Sequence, residues 1–147
     1  MKSIECVIDN ADMWMFKFEH LKKNVAGYMY KDIVSSQMNV EVLSANFDVE
    51  HSYEIIGMFQ AYWGGWNATP NADAMQAIAK KWYEKFDAEL IRISHDTLSF
   101  KCRKLSENEA QILQQEINNL SAEIIDCSSG NLFEYLMEKQ KFTLWWD

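Results

Sequence analysis

Proline and glycine are scarce in this sequence: its 147 residues include one proline and five glycines. Linkers between domains are usually rich in these residues or in small polar ones, and no such stretch occurs here. No segment repeats, and a chain of this length suits one domain with a sizeable core. We therefore expect residues 1–147 to form a single domain with two differently patterned halves, residues 1–60 and residues 61–147.

Long apolar runs are also missing. A helix that crosses a bilayer needs about 18 or more predominantly apolar residues, and no run in this sequence approaches that length. Residues 1–5 (MKSIE) lack the apolar centre of a secretory signal peptide. These absences predict a cytoplasmic protein that does not associate with a membrane.

Cysteine and histidine are too few and too scattered to predict a metal site. The three cysteines, Cys6, Cys102 and Cys127, form no C-x-x-C pair, and the three histidines lie far apart. An odd number of cysteines argues against a disulfide framework, so we expect reduced and mostly buried thiols. Cys127 with a distant histidine and acid would make a nucleophile, but a buried structural thiol is the more frequent role. Gly64-Gly65 matches no phosphate-loop pattern, and we expect no cofactor and no metal.

Basic side chains are in deficit. Lys and Arg number 14 against 22 Asp and Glu, which gives a formal net charge of −8. Nucleic-acid binding draws most of its affinity from lysine and arginine, and the longest basic run is only residues 101–104 (KCRK). This balance argues against nucleic acid as a partner. An acidic domain attracts basic partners instead, which favours a protein partner.

Aromatic side chains are abundant: they make up 14% of the sequence and include six tryptophans. Four of these tryptophans lie in two short motifs, residues 63–67 (WGGWN) and residues 145–147 (WWD). Neighbouring side chains of a strand point to opposite faces, so one of Trp145 and Trp146 should be in the core. The two glycines of the first motif allow a sharp turn. Both motifs are candidates for a binding surface.

The pattern of residues 61–147 predicts the element order α-β-β-α-β-α-β. A helix is expected to begin with Pro70 at its first helical position, where the missing N–H costs nothing. Residues 88–94 and 97–103 alternate as the two strands of a hairpin whose turn is His95-Asp96.

In the second strand of this hairpin, Leu98, Phe100 and Cys102 should face the core and Ser99 should face water. A capping box from Ser106 to Glu109 opens the next helix. The remaining predicted elements are a short buried strand at 122–127, a helix at 131–140 and a last strand at 141–146.

Residues 1–60 are patterned less clearly. Four strands of an antiparallel meander are predicted, at residues 4–8, 14–18, 28–34 and 40–47. Residues 12–23 also fit a helix, and both alternatives stay open for that segment. Asp48 is predicted to cap a helix that runs through Tyr62. The whole pattern predicts an α+β domain in which helices pack on a mixed β-sheet.

Several motifs of the second half, taken in order, resemble a known family. Residues 64–70 (GGWNATP) are similar to the GGWN-x-x-P signature of the bacterial domain-of-unknown-function family 4253. Further similarities follow in the same order, at residues 86–90 (FDAEL), 94–98 (SHDTL), 126–127 (DC) and 144–147 (LWWD). The resemblance covers about residues 61–147 and leaves residues 1–60 unassigned. It implies an intracellular bacterial α+β domain and no activity.

This chain departs from the pattern of that family at two positions. It often has glycine where this chain has Asp87, and cysteine where this chain has Thr69. The region before the final helix is also shorter here.

The leading hypothesis for function is a non-enzymatic protein-binding module of the accessory or immunity type, because the chain is acidic and rich in aromatic anchors. The alternative is a small-molecule-binding protein or enzyme whose cleft lies where Trp66-Asn67 meets Trp146-Asp147. Exposed aromatic side chains also leave homo-oligomerisation open. The candidate ligand- or partner-binding residues are Trp66, Asn67, Asp96, Asp126, Trp146 and Asp147. No catalytic or metal-binding residue is assigned.

Overall fold

The structure is a computed structural model that describes residues 2–9, 30–35, 40–58, 69–94, 96–124 and 131–146. Within these residues the chain forms seven strands and four helices. The strands are β1 Lys2–Asp9, β2 Tyr30–Ser35, β3 Val40–Phe47, β4 Glu89–Ile93, β5 Thr97–Lys101, β6 Glu123–Ile124 and β7 Lys141–Trp145. The helices are α1 Glu54–Met58, α2 Ala72–Phe86, α3 Glu107–Asn119 and α4 Leu132–Glu138. None of these helices has both the length and the apolar character that crossing a membrane requires.

All seven described strands join one mixed sheet, in the order β2-β3-β1-β4-β5-β7-β6. β1 and β4 pair in parallel, and the other described neighbours pair antiparallel. The predicted α+β class and mixed sheet are confirmed, and both halves of the chain contribute to the same sheet. The three N-terminal strands are antiparallel as predicted, but they do not form a simple meander, because β3 lies between β2 and β1. Residues 12–23, predicted as strand or helix, lie outside the described residues.

Helices cover one face of this sheet, where the apolar side chains of the strands form the core. Along β7, Phe142 and Leu144 are buried. Of the alternate residues, Lys141 is exposed and Thr143 is half-buried. The buried strand residues belong to one cluster with the buried residues of all four helices. The opposite face carries polar side chains that include Glu5, Arg92, Ser99, Lys141 and Thr143. It is named the open face below because the buried residues of the four described helices all belong to the core on the other side.

The start of α2 differs from the prediction. Pro70 precedes the helix, because Asn71 is the N-cap and its side-chain oxygen accepts the N–H of Ala74 at 2.8 Å. An asparagine in this position satisfies an otherwise unpaired helical N–H, which fixes the start of the helix one residue beyond the proline.

Asp48 does not cap α1, which begins at Glu54. Asp48 is exposed, and the carboxylate of Glu54 instead accepts the backbone N–H of His51 at 2.8 Å. The acid that pairs at the start of this helix is therefore inside its first turn, as in a capping box.

The hairpin of β4 and β5 and the capping box at Ser106 and Glu109 are confirmed. Leu98, Phe100 and Cys102 are buried as predicted. Ser99 is buried too, and the prediction that it faces water is wrong. Its hydroxyl pairs with the Thr143 hydroxyl of the neighbouring strand at 2.8 Å, which gives the buried Ser99 side chain a hydrogen-bond partner.

Arg103 joins the end of α2 to the start of α3. Its guanidinium donates to both carboxylate oxygens of Glu109, with Nη1 2.9 Å from Oε1, and to the carbonyl oxygen of Lys85 at 2.6 Å. The bond from Arg103 and then the backbone N–H of Ser106 lower the pKa of Glu109 from 4.5 to about 2. This pair is a bidentate ion pair with a fixed geometry, which distinguishes it from a loose surface contact.

We expect Arg103 to make stability depend on acid pH. Because the folded-state pKa of Glu109 is depressed, the contribution is complete above pH 4.5 and is lost as the pH falls toward about 2. In Arg103→Gln that pKa should return toward its ordinary value, so the unfolding free energy should decline less over this range. Urea unfolding at a series of pH values measures the difference.

Lys104→Gln is the matched control for this experiment. Lys104 is exposed, and its side chain forms no ion pair with any residue that the structure describes. The control should keep the acid sensitivity of the unmodified chain. The same decline in all three proteins would contradict the role of Arg103.

Candidate functional site

The turn between β4 and β5 holds Asp96, one of the predicted site residues. The Ser94 hydroxyl donates to Asp96 Oδ1 at 3.0 Å, and the same hydroxyl oxygen accepts the backbone N–H of Thr97 at 3.0 Å. The indole N–H of Trp145 donates to Asp96 Oδ2 at 3.2 Å. Charge-assisted hydrogen bonds of this kind are stronger than neutral ones. The Asp96 carboxylate therefore joins the hairpin turn to the end of β7.

Trp146 extends this attachment. Its backbone N–H donates to the carbonyl oxygen of Asp96 at 3.2 Å, and its indole N–H donates to the carbonyl oxygen of Leu120 at 2.9 Å. Trp146 is 2% exposed and Trp145 is half-buried, so the prediction that one of the two belongs to the core is confirmed. We name the contacts among Asp96, Trp145 and Trp146 the terminal clasp.

The structure thus brings together two of the six predicted site residues, Asp96 and Trp146. The other four, Trp66, Asn67, Asp126 and Asp147, lie outside the described residues. The cleft between the two tryptophan motifs stays a prediction. The Trp146 indole, however, is a core side chain with its one donor already bonded, which suits a role in holding the fold.

The described cysteines are free and buried, as expected. Burial raises the pKa of Cys6 to about 12. Burial also raises the pKa of Cys102, with Arg103 opposing the rise and Glu109 adding to it. Only a thiolate is a good nucleophile or metal ligand, so both environments oppose nucleophilic chemistry.

Cys127 lies outside the described residues. Across the ranges that the structure describes, no three or more His, Cys, Asp or Glu side chains are grouped so as to hold a metal ion.

Three aromatic rings meet where the connection from β3 to α1 packs against α2. The ring centroids of His51 and Tyr53 are 5.1 Å apart with an interplanar angle of 9°. Tyr83 of α2 lies 4.9 Å from His51 and 5.7 Å from Tyr53. All three residues are half-buried, so the cluster keeps part of its ring surface in contact with solvent.

Ser52 fixes the position of this ring cluster. It is 3% exposed, and its hydroxyl accepts the backbone N–H of Leu90 at 2.9 Å while donating to the carboxylate of Glu89 at 2.5 Å. These two bonds tie the connection to the first residues of β4. Because His51 and Tyr53 flank Ser52 in sequence, one buried anchor sets the position of both rings.

Carboxylates surround the rings. Burial, followed by the charges of Glu54, Glu84 and Glu50, raises the pKa of Tyr53. The neighbouring charges that act on this hydroxyl are therefore negative. We name the whole group the aromatic–acidic patch, which consists of the rings of His51, Tyr53 and Tyr83 and the carboxylates of Glu50, Glu54 and Glu84. Electron-rich ring faces beside carboxylates suit a cationic side chain.

The open face of the sheet contains a depression of ≈ 490 Å³. Glu5, Arg92, Ser99 and Thr143 line it and are neighbours in register across the four strands β1, β4, β5 and β7. Arg92 Nε donates to Glu5 Oε2 at 2.9 Å, and the two hydroxyls bond each other. Lys141 contributes a further cationic side chain to the lining.

Neither of these two surfaces was among the predicted sites. In residues 50–54 (EHSYE), an acid stands at each end and two aromatic rings lie between them. This is the local signal for the patch in the sequence. Tyr83 and Glu84 join that segment only through the packing of α2. The sequence predicts the depression less well. Strand alternation places Arg92 and Lys141 away from the core, but it does not show which strands are neighbours in the sheet.

These observations define an α+β domain with a mixed sheet, helices on one face and a polar open face. Its sequence matches the family described as Domain of unknown function (DUF4253) over residues 45–147. The chain belongs to this family, as the tryptophan motifs predicted. The match begins at residue 45 rather than about residue 61, so the end of β3 and all of α1 are part of the family region. No curated protein and no solved structure gives a match.

Asp87 and Thr69, the two positions at which the resemblance predicted a departure from the family, each have a distinct local environment. Asp87 ends α2 with φ 54°, in the left-handed region that favours glycine, and it lies 3.8 Å from Arg103 Nε. The Thr69 hydroxyl is buried and has no hydrogen-bond partner among the described residues. A cysteine at this position would need no hydrogen-bond partner, because a thiol is a weak donor that behaves as a small apolar group.

We expect Asp96→Ala to destabilise the fold. The substitution leaves the Trp145 indole N–H without its acceptor and removes the bond from the Ser94 hydroxyl to the same carboxylate, which should cost about 1–3 kcal/mol of unfolding free energy. Chemical denaturation followed by tryptophan fluorescence measures the change. Asp48→Ala is the control, since Asp48 is exposed and accepts none of the hydrogen bonds described above; equal stability of the two variants would remove the structural role of Asp96.

Proposed function

We propose that the protein is a non-enzymatic protein-binding module of the accessory or immunity type, and that it binds a basic protein through the aromatic–acidic patch. The observation that carries this proposal is the meeting of three half-buried rings, with centroids 4.9–5.7 Å apart, among carboxylates. Aromatic residues are favoured anchors of protein interfaces.

The charge of the chain supports a basic partner. A net charge of −8 produces a field that speeds the approach of a positively charged protein at low ionic strength. At the patch, Glu54, Glu84 and Glu50 act together on one tyrosine hydroxyl, so the local potential has the same sign as the global one. Attraction at long range and recognition at short range then favour the same class of partner.

The chemistry of binding follows from the rings. A lysine or arginine side chain of the partner lies over the exposed faces of Tyr53 and Tyr83, with its charge beside Glu84. A cation over an aromatic ring contributes about 0.5–1 kcal/mol at an exposed site and about 2 kcal/mol when it is desolvated. The carboxylates add charge-assisted hydrogen bonds in the same contact. The anchor at Ser52 holds two of the rings in place before binding, which lowers the conformational entropy cost.

Capture from native lysate with the tagged full chain tests this proposal. The unmodified protein should retain a basic protein in stoichiometric amount, and the retention should weaken as salt is added. Glu84→Lys places a positive charge next to the cationic side chain of the partner, and Tyr83→Ala removes one ring of the patch. Each substitution should lower the affinity for that protein by about tenfold or more, which is about 1.4 kcal/mol.

Glu138→Lys is the matched control for Glu84→Lys. Glu138 is an exposed glutamate at the end of α4 and belongs to no part of the patch, yet its substitution changes the net charge equally. This variant should keep the partner. Recovery of chaperones alone, or equal loss of the partner from the control and from Glu84→Lys, would overturn the proposal.

A further inference from the structure

The depression on the open face has a polar floor. Ser99 and Thr143 lie directly opposite each other on β5 and β7, with their hydroxyls 2.8 Å apart. One of these hydroxyls donates to the other, so one O–H of the pair remains as a donor at a position that lines the depression. Ser99 is 7% exposed and Thr143 is half-buried.

Cationic donors stand on both sides of this floor. Arg92 is the register neighbour of Ser99 on β4, and both of its hydrogen bonds to Glu5 end on the same oxygen, from Nε and Nη2. Its Nη1 has no partner among the described residues. Lys141 is two residues from Thr143, about 7 Å along β7, and lines the same depression.

Lys141 of this lining has a like charge directly opposite it on β5, outside the depression. Lys101 and Lys141 are direct partners in the antiparallel pair β5–β7, and both are exposed. Neither amine forms an ion pair within the described ranges. Glu89 is the partner of Lys101 on β4, but its carboxylate already binds Ser52 and lies 4.0 Å from the amine of Lys2.

Like charges opposite each other weaken a sheet. An anion that binds Lys141 in the depression would partly offset this repulsion. The ≈ 490 Å³ of the depression also lies within the range of about 300–1,000 Å³ typical of small-molecule sites.

From this arrangement we propose that the depression is a binding site for the oxyanion group, phosphate or carboxylate, of a small polar molecule. Lys141 and Arg92 Nη1 hold the charge of the group from two sides, and the hydroxyl pair donates from the floor. Glu5 keeps Arg92 in position and limits the net charge of the site. No residue of the aromatic–acidic patch takes part, so this site is independent of the proposed protein partner.

Titration of the full ¹⁵N-labelled chain with pyrophosphate, and separately with citrate, tests the site. At low ionic strength the amide signals of Ser99 and Thr143 should shift saturably with at least one of the two probes. Binding of pyrophosphate alone assigns a phosphate group, and binding of citrate alone assigns carboxylates; binding of both supports the shared oxyanion chemistry. Saturable binding of neither probe would overturn the proposal.

Variants separate a built site from general charge attraction. Lys141→Gln should weaken the apparent affinity about tenfold, since it removes one charge-assisted hydrogen bond. Thr143→Val keeps the shape of the side chain without its hydroxyl, and it should weaken binding by about threefold or more. Lys139→Gln removes an equal charge from an exposed lysine two residues before Lys141 and should leave the affinity within about twofold. Equal weakening by Lys139→Gln and Lys141→Gln would overturn the site.

Discussion

The packing of Trp82 is the contact on which the rest of this fold depends. The side chain, which belongs to α2, is fully buried. Its ring centroid lies 5.5 Å from that of Phe100 on β5 and 5.9 Å from that of Phe142 on β7, both in T-shaped arrangements. Its indole N–H donates to Glu116 of α3 at 2.7 Å. One residue thus joins two helices and two strands, and it does so with apolar burial and a satisfied polar group together.

This arrangement decides which surfaces remain for function. Because the core residues of all four helices join one cluster on one side of the sheet, the alternate residues of β4, β5 and β7 are left on the open face. The aromatic–acidic patch lies at the other side, where α2 meets the connection that precedes α1. The terminal clasp stabilises the strand that carries Lys141 and Thr143, so it supports the oxyanion site without belonging to it.

Periodicity predicted the elements of the second half well, because each has a strong local signal. Met75, Ala79 and Trp82 recur at helical spacing, and Ser106 with Glu109 forms the expected capping box. Some errors are local, such as the start of α2, where Asn71 rather than Pro70 decides the first turn. The error at Ser99 has a tertiary cause. Ser99 has the alternation of a solvated residue but is buried because Thr143 lies opposite it, 44 residues later in the chain.

The candidate sites were harder to predict for the same reason. His51 and Tyr53 are neighbours in sequence, but Tyr83 reaches them only when α2 packs beside the connection to α1. Tryptophan content led to the terminal motif, and Asp96 and Trp146 do meet there. Their donors and acceptors are, however, used to hold the hairpin turn and the end of α3. Composition identified the large side chains, and only the pairing of strands and helices shows which of them keep free surface.

One small acidic chain can carry a surface that binds cations and another that binds anions, because salt shortens the range of electrostatic forces. At about 0.1 M salt the Debye length is about 10 Å, so charges farther away are largely screened. An anion over Ser99 and Thr143 then responds to Arg92 and Lys141 more strongly than to acids on the helix side of the sheet. The net charge of −8 governs the long-range approach of a macromolecule at low salt. It does not decide the occupancy of a depression whose nearest unpaired groups are cationic.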